Sequence, residues 1–183
     1  MDQTNQKAKI IKDYLSTRPP EEPSDLWTGT LENLNELVLP LAQTLQSHPG
    51  SWIFLNGDLG SGKTTLVQRL AQQLWAQDRF ESPTYTLMHS VMCHTQALPI
   101  KNLIHLDLYR LKQGQELCYL GLEMEFDPKH SLVFWEWGDL IDNHSYQEFF
   151  RLTGCEPPVQ SFEIHIVSSG IQERRYSIQT RPL

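Results

Sequence analysis

The residues Gly57-Asp58-Leu59-Gly60-Ser61-Gly62-Lys63-Thr64-Thr65 satisfy the pattern G-x-x-x-x-G-K-[ST] without a mismatch. Their types suit phosphate chemistry. Glycines let successive backbone N–H groups converge on phosphate oxygens, where side chains would block the approach. A helix beginning at the lysine adds the partial positive charge of its N-terminus. Lys63 is then placed to reach β- and γ-phosphates, the Thr64 hydroxyl to ligate Mg²⁺, and Thr65 to add a phosphate contact. A glycine-rich turn that merely caps a helix would share the glycines, so the flanking elements decide. Before the motif lies S-W-I-F-L-N, a short apolar run that reads as a buried strand. After it, Leu66, Val67, Leu70, Ala71 and Leu74 recur at helical spacing.

A phosphate loop of this kind needs a carboxylate for the metal and a group to orient the attacking water. Two strand-like runs end in acids. L-V-F-W-E-W (132–137) is apolar up to Glu136, which would emerge at the strand tip beside Thr64 as a metal ligand rather than as an edge residue in solvent. H-L-D-L-Y-R (105–110) presents Asp107, either to polarise the water or to hold the metal through water. Arg110 would balance phosphate charge or form a plain salt bridge. His105 reads as a packed or hydrogen-bonded strand residue. In S-P-T-Y-T-L (82–87), Thr84 is the candidate for a threonine that senses γ-phosphate and Mg²⁺; a proline-initiated turn without ligand contact is the alternative. Trp135 and Trp137 flank Glu136 and are assigned to opposite strand faces, one packed in the core and the other near the nucleotide.

The elements that carry these residues follow from periodicity. Leu31, Leu34, Leu37, Val38, Leu41 and Leu45 form an apolar stripe over a helix from 31 to 46, with a kink or break expected at Pro40. Strands are expected at 52–56, 85–92, 103–108 and 131–135, the second and third close enough to pair antiparallel. Helices are expected at 115–123 and 139–151. The runs 162–167 and 174–180 flank the turn S-S-G and read as a hairpin. Residues 1–25 read as a flexible extension and proline-rich linker, and 26–183 as the domain proper.

Composition bounds the function. The 183 residues are enough for one α/β domain. The net charge of −7, with no long basic run, argues against a strong direct grip on nucleic acid. Cys93, Cys118 and Cys155 form no C-x-x-C pair, which suits reduced thiols in a cytoplasmic protein. The N-terminus has no signal-peptide pattern, and no apolar run is long enough to span a bilayer. The histidines show no zinc-ligand spacing.

Taken together, G-D-L-G-S-G-K-T-T, S-P-T-Y-T-L, H-L-D-L-Y-R-L, E-L-x-x-L-G-L-E (116–123) and V-F-W-E-W resemble, in order and spacing, the TsaE (YjeE) family over roughly residues 30–180. The resemblance implies a three-layer α/β/α P-loop fold around a mixed sheet. It implies an ATP- and Mg²⁺-dependent ATPase, weak alone, that acts with TsaD and TsaB to make threonylcarbamoyladenosine on tRNA. The tRNA would be met only indirectly, and ATP turnover would reset the complex. Lys63 and Thr64 carry over as phosphate and Mg²⁺ contacts, Glu136 as the metal carboxylate, Asp107 as the catalytic acidic residue and Thr84 as the switch threonine. Trp137 carries over as the tryptophan beside the metal ligand, and Thr30 to Asn33 as neighbours of the adenine. The chain departs from the usual pattern at Val38, Pro40, Gln68-Arg69 and Gly138-Asp139, the last standing where proline usually follows the Glu-Trp pair. A small-molecule or nucleotide kinase is the competing reading. A GTPase would need an N-K-x-D stretch, which the chain lacks.

Overall fold

The structure is a computed structural model that describes residues 24–74, 83, 86–93 and 99–183. Seven strands form one sheet: β1 (Ser24–Thr30), β2 (Ser51–Asn56), β3 (Met88–Met92), β4 (Asn102–Asp107), β5 (Ser131–Glu136), β6 (Gln160–Ser168) and β7 (Glu173–Thr180). Their order is β1-β7-β6-β2-β5-β4-β3. The four central strands β6, β2, β5 and β4 are parallel neighbours, while β7, β1 and β3 add antiparallel edges.

Every residue of β2, β4 and β5 is buried, as expected for parallel strands covered on both faces. Alternation sorts their side chains into two cores. Ile53, Leu55, Leu132 and Phe134 face α1 (Asn35–Leu45) and α2 (Lys63–Gln73). Trp52, Phe54, Ile104, Leu106, Val133 and Trp135 face the other way, against Leu117, Leu122, Tyr146 and Phe149. That second layer holds the short helix α3 (Leu122–Glu125) and α4 (Asn143–Thr153). Two helical layers around a mixed sheet give the expected three-layer α/β/α architecture. The second layer covers β2, β5 and β4 but not the β6–β7 wing, where Glu163, His165 and Gln179 remain only partly buried.

Four local expectations need amendment. Of the kink or break expected at Pro40, the break does not occur: α1 runs through it, and the Thr44 hydroxyl donates to the Pro40 carbonyl at 2.8 Å. Proline removes one donor, and the burial of Leu37, Val38, Leu41 and Leu45 outweighs that loss. The helix expected at 115–123 is instead a 3₁₀ turn (Gly114–Tyr119) and α3, separated by Gly121 at φ 75°. The helix at 139–151 begins later, at Asn143, where Asp142 caps it by accepting from Ser145 N at 2.7 Å. Strand β1 was not anticipated, because its polar, glycine-containing sequence pairs only with β7, far along the chain. The extension read at 1–25 lies almost wholly outside the described residues.

Candidate nucleotide site

Strand β2 ends at Asn56, and the loop that follows returns as the N-terminus of α2 at Lys63. Two glycines are required by geometry. Gly62 precedes the helix at φ 104°, a conformation that side chains resist. A Cβ on Gly57 would stand 2.3 Å from the Ile166 carbonyl oxygen, so the loop can root against β6 only without one. Asp58, Leu59 and Gly60 form the exposed tip, with Ser61 N donating to Asp58 O at 3.1 Å. The Ser61 hydroxyl is buried within the loop and has no hydrogen-bond partner among the described residues.

Lys63 is 4% exposed. Its ammonium donates to the carbonyls of Gly57 at 2.6 Å and Asp58 at 3.0 Å, and lies 3.7 Å from the Trp137 ring centroid. Burial lowers its pKa below the usual lysine value; Glu136, Asp107, Asp139 and Asp58 oppose that shift without cancelling it.

The carboxylates come from the sheet register. Asp107 and Glu136 end β4 and β5 as direct partners, on the face that carries Leu132 and Phe134. That face lies under α2, so Glu136 Oε2 accepts from the Thr64 hydroxyl at 3.0 Å. Its other oxygen, Oε1, lies 2.8 Å from His105 Nε2 in a pair nearly sealed from solvent. An ionised carboxylate can only accept, so His105 Nε2 carries the proton of that bond. His105 was expected to be a packed or hydrogen-bonded strand residue, and the structure makes it the residue that orients Glu136. Asp107 is 6% exposed, and its Oδ1 accepts from Tyr109 N at 3.1 Å. A threonine hydroxyl, a fixed carboxylate and a second nearby acid form a hard oxygen set. It fits Mg²⁺, which takes one or two protein oxygens and completes its shell with phosphates and water.

Trp135 is fully buried, whereas Trp137 covers Lys63. One ring packs in the core, as expected, and the other lines the cleft, but the two do not lie on opposite strand faces as expected, since residues two apart on a strand share a face. The strand ends at Glu136, and Trp137 turns out at φ 61°. Its ring meets Tyr109 at 5.2 Å. Leu59, Gly60, Gly62, Lys63, Thr64, Thr65, Asp107, Tyr109, Arg110, Glu136 and Trp137 line one cleft of about 320 Å³. Gly57, Asp58 and Ser61 do not line it; the carbonyls of Gly57 and Asp58 hold the Lys63 ammonium instead. Thr84 lies outside the described residues. Thr30 to Asn33 do not line this cleft; Thr30 instead donates to Asn33 Oδ1 at 2.6 Å. Tyr109 was missed as a site residue, although its place beside Asp107 in H-L-D-L-Y-R was a usable signal.

Comparison with known proteins agrees with this geometry. Residues 29–175 match the family model of the threonylcarbamoyl adenosine biosynthesis protein TsaE. A Nostoc protein named tRNA threonylcarbamoyladenosine biosynthesis protein TsaE is 37% identical over 122 residues, covering 66% of this chain and 64% of that protein. The Haemophilus influenzae protein of the same name is 36% identical over 95 residues, covering 52% of this chain and 56% of that protein. The chain thus aligns with somewhat over half of the length of these relatives. A crystal structure of Bacillus subtilis YdiB superposes with a TM-score of 0.52 at 22% identity, covering 88% of each chain, and supports the fold. With the family model spanning β2 to β6, and Lys63, Thr64, Asp107 and Glu136 in one cleft, the chain belongs to the TsaE family.

Proposed function

We propose that this protein binds and hydrolyses ATP with Mg²⁺, and that it does so as an accessory of the machinery that makes threonylcarbamoyladenosine on tRNA. The observation that carries the reading is the 3.0 Å contact between the Thr64 hydroxyl and Glu136, in the same cleft as Lys63 and Asp107. The 57–62 backbone and Lys63 hold the β- and γ-phosphates. Thr64 and Glu136 hold the metal, which supplies charge neutralisation at the phosphoryl oxygens. Asp107, beside Glu136, orients the attacking water. Thr65 adds a phosphate contact, Thr84 serves as the switch threonine that senses γ-phosphate and Mg²⁺, and the Trp137 ring shields Lys63 from solvent.

TsaD and TsaB are the proposed partners, with tRNA held by them. The net charge of −7 supports an indirect relation to RNA. Among the described residues no helix is long and apolar enough to cross a membrane, and the three cysteines are unpaired, which supports a cytoplasmic setting. Residues 26–183 act as the catalytic domain, with residues 1–25 as an extension to it.

The test is ATP hydrolysis by the purified protein, alone and with TsaD plus TsaB, beside Lys63→Ala. Partner-stimulated turnover that the variant lacks is the expected result. Turnover that appears only with a small-molecule acceptor, and no binding to the partners, would replace this reading with a kinase.

A further inference from the structure

We infer that Arg181, in the segment after β7, is a positioning residue for the nucleotide site: it ties the turn after Glu136 to the root of the phosphate loop. The inference rests on the nucleotide reading of the cleft but concerns residues that reading does not use. Arg181 lies beyond the segment that matches the family model.

The guanidinium reaches across 43 residues of sequence to donate from Nη2 to Gly138 O at 3.0 Å, and to Ile141 O at 3.3 Å. These carbonyls bracket the turn that leaves β5 immediately after Glu136 and Trp137. The same group lies 4.1 Å over the Phe54 ring, so the aromatic core of β2 supports it from below. Its other arm, Nη1, is 3.5 Å from Glu163 Oε1 on β6. Glu163 in turn accepts from the Asn56 side chain, and Asn56 is the residue immediately before Gly57. One cation and one carboxylate, 11% and 13% exposed, thus join two of the loops that form the cleft.

A planar, bidentate donor is what this junction needs, because two carbonyls and a carboxylate must be met at fixed angles. The turn has little freedom otherwise. Trp137 N donates to Leu55 O at 3.3 Å, and the Tyr146 hydroxyl donates to Gly138 O at 3.2 Å. Without Arg181, the Ile141 end of the turn would lose this side-chain donor, and Glu163 would lose its guanidinium partner.

Arg181→Met keeps the aliphatic stem and removes the donors and the charge. The measurements are hydrogen exchange of the full-length protein, resolved over 57–62, 137–141 and β4, and the ATP·Mg²⁺ dissociation constant at a temperature where the variant is fully folded. Exchange should accelerate at 57–62 and 137–141 while β4 is unchanged. Affinity should fall by about tenfold, the scale of losing hydrogen bonds to a charged donor, and Arg181→Lys should recover part of it. Unchanged exchange in both loops, or acceleration spread evenly over the sheet, would overturn the proposal. If the unsubstituted protein binds no ATP, the nucleotide reading falls and the exchange pattern alone decides this one. If Arg181→Met does not fold, Glu163→Gln is measured instead: it keeps an acceptor for Asn56, and should give the same local pattern at smaller amplitude.

Discussion

Replacing His105 with Leu tests how the metal carboxylate is held. Glu136 is 3% exposed, and one of its oxygens depends on a 2.8 Å bond from a histidine that is itself fully buried. Leu is apolar and of similar bulk, so the change removes the donor while largely filling the space. Taking a hydrogen bond from a buried charged acceptor costs about 1.5–3 kcal/mol. That corresponds to roughly 10- to 150-fold in an equilibrium constant, close to the 10- to 100-fold effect of losing a partner behind a metal ligand. The assay is a Mg²⁺ titration at fixed ATP, followed by the change in tryptophan fluorescence that Trp137→Phe abolishes, with thermal unfolding measured in parallel. The Mg²⁺ midpoint should rise by at least about tenfold. His105→Gln, which keeps an N–H donor, should fall between the two. A Leu variant with an unchanged Mg²⁺ midpoint and an unchanged Tm would refute the argument. So would a Gln variant as impaired as Leu, because the donor would then not be what matters.

Three further outcomes are expected. Burial alone would raise the Glu163 pKa, but hydrogen bonds from His165 and Gln179 and the charges of His165 and Arg181 hold it at about 2, against an ordinary 4.5. A depressed carboxyl stabilises the fold above pH 4.5 and loses that contribution as pH falls toward 2, so acid unfolding should draw on about 3 kcal/mol from this group, and Glu163→Gln should flatten that limb. A Cβ on Gly138 would stand 2.4 Å from Phe54 Cδ1 in a ring stack with Trp135. Gly138→Ala should therefore cost about 1–3 kcal/mol in denaturant unfolding, and Phe54→Leu in the same chain should return part of it. Trp137→Leu removes the ring 3.7 Å from Lys63 without touching the phosphate loop. Calorimetry should show ATP binding weakened by about 0.5–2 kcal/mol, far short of the loss in Lys63→Ala; equal losses in the two variants would remove the cation–π argument.

What the sequence determined by itself is the chemistry that is local in the chain. The phosphate loop is contiguous, and its glycines are there because backbone must approach backbone at Gly57 and turn left-handed at Gly62. The central strands and α2 were legible for the same reason, since apolar period and motif sit within a dozen residues of each other. The antiparallel β3–β4 pair and the β6–β7 hairpin were legible because each partner lies close by in sequence. Residues that act across the fold were less accessible. That Thr64 meets Glu136 could be argued from the motif, but that His105 sets the carboxylate from 31 residues away depends on the β4–β5 register. Strand β1 exists only because β7 offers it an edge. The helix through Pro40 persists because its buried face outweighs one missing donor. Arg181 has no motif around it, and its place above Phe54 and beneath the Gly138 turn follows from tertiary packing that brings the chain's last strand back to the first loop of the site.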